Sequence, residues 1–187
     1  MIGSISKIAC FYTKGIANTC SHLFDLLRYF FGNAQWVWAY DNALTTDKDP
    51  TMDIYLAFPK GIQASVLGCQ NIDYRIFEID ILGTHGRIKI HNGFTMELFL
   101  SGPSPRTSEF KELLAQPAPL SDGRKGYFLN AIEDIVSCIE HKRTPLCSGE
   151  DGRDALEIIC AAHESVKQGS RKIAIPLADR TIRIESK

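Results

Sequence analysis

Residues 74–100 read YRIFEIDILGTHGRIKIHNGFTMELFL. Tyr74–Leu82 reads as a strand, Gly83-Thr84-His85-Gly86 as a turn, and Arg87–His91 as a second strand. Asn92-Gly93 turns the chain again before Thr95–Leu100. Turn residues at this spacing, between runs rich in β-branched and aromatic side chains, specify hairpins. No helical period separates them, so the pattern predicts an antiparallel meander and not a series of βαβ units.

Upstream the same logic holds. Trp36, Trp38 and Tyr40 alternate with smaller residues, and Met52, Ile54, Leu56 and Phe58 share one side of an extended run. Pro59-Lys60-Gly61 is a tight-turn signal, and Ile62–Cys69 is its return strand. The chain opens with a strand over Ser4–Tyr12, with Ile8 and Cys10 on one face and a break at Gly15. A helix is expected over Thr19–Phe31, ended by Gly32. Its apolar residues Leu23, Phe24, Leu26, Leu27, Phe30 and Phe31 cover more than half the circumference, which predicts burial on most sides.

Ser101–Pro119 carries four prolines and reads as a loop with one helical turn near Phe110. A second helix places Phe128, Ile132, Ile135 and Ile139 on one stripe. A third opens with Ser148-Gly149-Glu150-Asp151, a capping-box pattern with acids in the positive first turn, which we read as a cap and not a metal site. It carries Ala155, Ile158, Ile159, Ala162 and Val166 on one face and stops at Gly169; a last strand covers Lys172–Pro176. The expected fold is α+β, an open, mostly antiparallel sheet with about three helices packed on one face, and residues 1–187 form one domain.

A sheet covered on one side should leave its other face polar. Phe77, Ile79 and Ile81 share one face of the 74–82 strand, yet Tyr74, Ile76 and Leu82 take the other, and Trp36 and Trp38 add to the excess. The second face is therefore expected to be covered by another subunit in a homo-oligomer. The alternative is that the 101–119 loop folds over it.

The composition is ordinary, 44% hydrophobic and 23% charged, with a formal net charge of -1 and no basic run, so neither nucleic acid nor an acidic membrane surface is an expected partner. The six cysteines form no C-x-x-C pair, and Cys138 and Cys160 read as small buried hydrophobes. Without a signal-peptide pattern or a membrane-length apolar run, the expected location is the cytoplasm.

Chemistry concentrates where the first helix begins. Asn18 and His22 are four residues apart and project from one helical face. Backbone amides at a helix N-terminus favour anionic or hydroxyl ligands, and an imidazole there can exchange a proton with a substrate hydroxyl. A histidine on so apolar a helix can equally be a satisfied core residue. Asp25 reads as structural, partnered by backbone or Arg28; His85 is a turn residue, and His91, His141 and His163 show no partner pattern.

The stretch from Tyr12 to Gly32, with a Gly-containing loop, Asn18, His22 and Asp25-Leu26-Leu27, resembles the start of the C-terminal domain of the Gfo/Idh/MocA oxidoreductases. Gly83-Thr84-His85-Gly86 is similar to that family's Gly-Thr-x-Gly hairpin. Pro145 to Gly152 resembles its entry to the last long helix, and Ile173–Leu177 its closing strand. By that resemblance His22 matches the active-site acid/base beside the nicotinamide. Asn18 stands where Asp is frequent, and as an amide it can orient a hydroxyl but cannot relay a proton. Tyr12 and Lys14, on the incoming segment, are candidate substrate contacts. The implied substrate is a sugar, cyclitol or sugar-nucleotide hydroxyl.

The Gly-rich dinucleotide turn G-x-G-x-x-G is missing from the sequence, as is the family's Glu-Lys-Pro motif. The chain alone is thus expected to bind no cofactor. NAD or NADP, together with the catalytic lysine, would come with a Rossmann domain supplied in cis or in trans. Two other readings stay open: a stand-alone binding or assembly module that keeps the oligomerising sheet, and a small α+β enzyme that uses His22 without a nucleotide.

Overall fold

The computed structural model describes residues 2–41, 49–70, 73–92, 95–117 and 126–184. In chain order its elements are β1 (Ile5–Tyr12), a π-helical turn (Gly15–Thr19), α1 (Cys20–Phe31), β2 (Trp36–Asp41), β3 (Met52–Ala57) and β4 (Gln63–Gly68). There follow β5 (Phe77–Gly83), β6 (Gly86–Ile90), β7 (Met96–Pro103), β8 (Lys111–Gln116), α2 (Tyr127–His141), α3 (Gly149–Lys167) and β9 (Ile173–Ala174). All nine strands lie in one sheet, ordered β8-β7-β6-β5-β1-β4-β3-β2-β9. The fold is α+β, with an open and mostly antiparallel sheet.

Two meanders, β2-β3-β4 and β5-β6-β7-β8, meet on β1. That strand pairs antiparallel with β5 (Cys10 opposite Ile79) and parallel with β4 (Cys10 opposite Val66), the one parallel ladder among the described residues. Hairpin signals cannot announce such a pairing, because it joins segments more than fifty residues apart.

The core lies between one face of the sheet and the helices α1 and α3. Ile8, Cys10, Ile54, Leu56, Val66 and Ile79 are buried on the sheet side, against Leu23, Phe24 and Leu27 of α1 and Ala155, Ile158 and Ile159 of α3. Each large aliphatic side chain so enclosed contributes about 1.5–3 kcal/mol. Arg28 of α1 fastens the helices together by ion-pairing with Asp151 in the first turn of α3. Asp151 also accepts from the Ser148 amide at 2.7 Å while its own amide donates to the Ser148 hydroxyl, so the expected capping box is present. The Ser148 amide and hydroxyl, with Arg28 behind them, hold the Asp151 carboxyl below the usual range. Arg28, which also reaches Asn33, is thereby directed to the cap of α3 and not to Asp25.

At the turn between β5 and β6 the chain passes close to its own start. The Thr84 and His85 amides donate to the carbonyls of Ser4 and Ile2 at 2.9 Å each. A Cβ on Gly83 would lie 2.2 Å from the Ile2 oxygen, so only glycine fits there.

Several expectations change. Over its described residues, 101–117, the stretch expected to be a loop is a hairpin: β7 runs to Pro103, opposite Lys111 of β8. Pro103 ends β7, Pro105 lies in the turn and Pro117 follows β8, where they remove no ladder donor. The Ser104 hydroxyl ties that turn, accepting from the amides of Arg106 and Thr107 and donating to Glu112 at 2.7 Å. The hairpin extends the sheet edge instead of covering its second face. Strand β5 starts at Phe77, so Tyr74 and Ile76 lie outside it, and its open face carries Glu78 and Asp80 beside Leu82. Helix α1 buries one stripe only, leaving Tyr29 and Phe30 exposed. Cys160 is buried as expected, whereas Cys138 is only half-buried. The Asn92-Gly93 turn extends beyond the described residues. Among the described residues no helix is long and apolar enough to cross a membrane.

The open face is aromatic at the β2–β3 end. Trp38 stacks on Tyr40 with centroids 6.5 Å apart and meets the edge of Tyr55 at 5.3 Å, while Lys172 sits 4.1 Å over the ring of Trp36. Towards β5 and β6 it becomes charged, with Arg87 paired to Asp80.

Beside β2 the short β9 covers only Trp36 and Val37, and the hydroxyl of Ser165 completes the ladder one step further. It accepts from the Ala39 amide at 2.9 Å and donates to the Arg171 carbonyl at 2.5 Å, fully buried. Ser165→Ala strands both groups, and the expected loss is about 1–3 kcal/mol in chemical denaturation. A change below a few tenths of that would show that water replaces the hydroxyl.

Candidate functional site

Strand β1 delivers the chain to the end of the sheet, where it turns sharply into α1. Lys14 (φ 71) and Gly15 (φ 74) both take left-handed backbone, and the π-helical turn Gly15–Thr19 runs straight into Cys20. Short π segments widen the helix and shift the face its side chains occupy.

Asp49 holds the turn. Its two carboxylate oxygens accept from the amides of Ala17 (2.7 Å) and Asn18 (3.0 Å), and the Ile16 amide donates to the Pro50 carbonyl at 2.9 Å. A Cβ on Gly15 would fall 2.4 Å from the Asp49 carboxylate, so glycine is needed for the close approach as well as for the positive φ. The amides expected to be open to a ligand are thus taken by the chain's own carboxylate. Nothing in the sequence spacing announces this, because Asp49 lies 31 residues from Asn18.

Of the four candidate residues, three are exposed at this turn: Lys14, Asn18 and His22. Asn18 and His22 stand one helical step apart across the π-to-α junction. The Asn18 carbonyl accepts from the Ser21 hydroxyl at 3.0 Å, which leaves the Asn18 side-chain amide out of that contact. Tyr12 is placed differently from the expectation. It is 0% exposed, and its hydroxyl exchanges hydrogen bonds with the carbonyl and the amide of Met52, both at 2.8 Å. Burial pushes its phenol well above the ordinary range, and does the same to the thiols of Cys20 and Cys10. Tyr12 therefore supports the turn from beneath, together with buried Thr13, whose hydroxyl accepts from the Ile76 amide at 3.1 Å.

Behind the turn, α3 contributes His163. Its Nε2 is buried with no hydrogen-bond partner, and burial lowers its pKa although Asp49 and Asp41 act against that shift. Among the described residues, three cavities are lined in part by α3, one of them shared with Arg28, Asn33 and Pro176 and free of Lys14, Asn18 and His22. One of about 280 Å³ is lined by Leu156, Cys160, Leu177 and Ile182 with Arg153 and Arg180; another of about 520 Å³ is lined by His163, Lys167, Thr181 and Arg183 among others. Neither includes Lys14, Asn18 or His22. Among the described residues no group of His, Cys, Asp and Glu has the arrangement to hold a metal ion.

The chain is similar to several known proteins. An uncharacterized protein of Haemophilus influenzae is 31% identical over 98 residues, which is 51% of this chain and 95% of that protein. The WlbA dehydrogenase of Bordetella pertussis, solved with NADH and UDP-GlcNAcA, matches with a TM-score of 0.69 at 19% identity, over 94% of this chain and 57% of its own. Levoglucosan dehydrogenase, solved with NADH and L-sorbose, matches with a TM-score of 0.71 at 19% identity, over 94% and 59%. At such identities the likeness establishes the fold, and this chain spans less than three fifths of either solved protein. The family model for the oxidoreductase family, C-terminal alpha/beta domain, matches residues 15–175. The chain belongs to the Gfo/Idh/MocA oxidoreductase family, and it corresponds to that family's C-terminal alpha/beta domain.

Proposed function

We propose that this chain is the substrate-binding and oligomerising domain of an NAD(P)-dependent oxidoreductase that acts on a hydroxyl of a sugar, cyclitol or sugar nucleotide. The observation that carries the reading is the exposed His22, set one step beyond Asn18 on a turn that Asp49 locks to the end of the central strand. His22 takes the hydroxyl proton during oxidation and returns it during reduction. Asn18 orients the hydroxyl, and Lys14 supplies a flexible donor at the mouth. Tyr12 acts only as support.

The nicotinamide, when bound, supplies the hydride chemistry, but this chain's residues do not fit its pyrophosphate. The one strand-to-helix turn at the site has its amides filled by Asp49, and the sequence has no Gly-rich phosphate loop. Cofactor binding is therefore assigned to a separate dinucleotide-binding domain. One observation favours the second reading, a module that assembles without catalysis: the Haemophilus influenzae relative is matched over 95% of its own length, so the likeness takes in nearly the whole of that protein.

In the complex reconstituted with its dinucleotide-binding domain, His22→Ala is expected to lower kcat by about 10²–10⁴-fold with an unchanged melting temperature. Asn18→Ala should raise KM more than it lowers kcat. Full activity in His22→Ala, or a loss of several kcal/mol of stability, would make His22 structural and leave the assembly reading. The chain without that domain should show no heat on calorimetric titration with NADH or NADPH.

Asp49 gives a graded test of positioning. Asp49→Ala should cost about 0.5–2 kcal/mol and lower kcat, while Asp49→Asn, with one acceptor oxygen in place of two, should recover part of both. Equal activity in all three forms would detach the turn from the chemistry.

For assembly, the aromatic end of the open face should bury on the order of 800 Å² per partner. Sedimentation at tens of micromolar is expected to show a dimer or larger species that Trp38→Glu dissociates. A monomeric wild-type chain would remove the oligomerising role.

A further inference from the structure

Helix α3 packs against both the π-helical turn that carries Asn18 and the strand β2. On that helix His163 is partly buried, and its Nε2 is enclosed without a hydrogen-bond partner. Among the described residues one other buried side-chain nitrogen shares that state, Nε of Arg28, whose two terminal nitrogens are both engaged. Buried polar atoms are nearly always paired, so a bare imidazole nitrogen at a packed boundary points to a role beyond holding the fold together. Two carboxylates act on this ring, Asp49 and Asp41. Asp49 is the residue whose oxygens accept from the amides of Ala17 and Asn18, and Asp41 ends β2. The other charged groups around His163 share the cavity that it lines: Glu164 and Lys167 on α3, and Asp179 and Arg183 on the segment after β9. These four balance in sign, with Lys167 already 3.8 Å from Glu164, so the net pull on a positively charged ring comes from Asp49 and Asp41.

A neutral imidazole leaves the Asp49 carboxylate to its two amides. Protonation makes both ring nitrogens donors and sets a full charge beside a carboxylate that neutral backbone groups hold. A hydrogen bond between charged partners is about twice as strong as one from a neutral donor, so the competition for Asp49 turns towards the ring. We propose that His163 is a proton-sensitive positioning residue. As a neutral ring it leaves Asp49 locking the turn that carries Asn18 and His22; as a cation it draws that carboxylate off the amides of Ala17 and Asn18 and lets the turn open. The device itself needs no substrate, and its consequence for turnover rests on the functional reading above. Burial lowers the proton affinity of the ring below its ordinary value of 6.5, with Asp49 and Asp41 acting the other way. The closed form therefore binds the proton less well than an open one, and acid favours whichever form binds it better. The lock holds at neutral pH and above, and it is lost only as pH falls below the ordinary histidine range.

Amide hydrogen exchange of the full chain, followed by NMR from about pH 7.5 down to about pH 5, brackets the titration of a histidine. Protection factors remove the intrinsic pH dependence of exchange. Protection of the Ala17 and Asn18 amides is expected to fall roughly tenfold on the acid side, while that of Cys10 in the central strand stays level. The midpoint should coincide with the titration of the His163 ring, read from its own proton shifts. His163→Gln, which cannot take up the proton, should keep the two amides protected over the whole range. Asp49→Asn should show weakened protection already at neutral pH and no further step. The comparison of midpoints needs only the wild-type chain, so it decides even where His163→Gln does not fold. A ring that stays neutral throughout the range, a wild-type turn that keeps its protection, or an acid step that persists in His163→Gln would overturn the proposal. A turn that opens in a reconstituted complex that oxidises no sugar-like alcohol sinks the functional reading alone; an active complex whose turn stays protected in acid sinks this inference alone.

Discussion

Strand β1 is the constraint on which the rest of the molecule depends. It is the seam between two meanders that share no other ladder, and its covered face sets Ile8, Cys10 and Tyr12 into the middle of the core. Its last residue sends a hydroxyl to the backbone of Met52 on β3, and the Cys69 amide beyond β4 returns to the Tyr12 carbonyl at 2.8 Å. The end of β1 is thereby fixed by two other strands. That fixed end is where the chain reverses into α1, so the exposed residues of the turn inherit their positions from the centre of the sheet. A site carried on the end of a central strand is more rigid than one carried on a loop between edge strands.

Asp49 determines what kind of ligand such a turn can take. A helix N-terminus with free amides attracts phosphates and carboxylates. Here the carboxylate of Asp49 already satisfies the amides of Ala17 and Asn18, and a second anion at that spot would meet like charge as well as filled donors. The backbone of the turn is therefore closed to anions, and what stays open are the exposed side chains of Lys14, Asn18 and His22. An imidazole and a carboxamide facing water suit hydroxyls, which accept and donate without carrying charge.

Much of the fold was legible because it rests on local rules. Alternation gave β2 and β3, the flanking turn signals gave β6, the Pro59-Lys60-Gly61 turn gave the β3–β4 hairpin, and Ser148 with Asp151 gave the start of α3. The failures share a cause. Pairing β1 parallel to β4, closing the turn with Asp49 and passing Ile2 against Gly83 are contacts across long sequence separations, which no window of residues encodes. The prolines of 101–119 misled for another reason, since a proline at a strand end or in a turn is compatible with a ladder while one inside it is not. At the site, the spacing put Asn18 and His22 on one face but left open whether His22 is buried, and the structure exposes both. The burial of Tyr12 was not legible, because a tyrosine at the end of a strand can face either way and only the position of Met52 decides.

The distribution of apolar surface separates what the fold needs from what it leaves exposed. Its core is built wholly from the covered face of the sheet and the inner stripes of α1 and α3, and Ser165, Arg28 and the Ser148 cap satisfy the polar groups at that boundary. None of these contacts involves α2 or the aromatic end of the open face, so charging either surface need not disturb the core. The two surfaces also differ in kind. The open face mixes stacked aromatics with charge pairs such as Arg87–Asp80, whereas the exposed stripe of α2 is aliphatic and aromatic throughout.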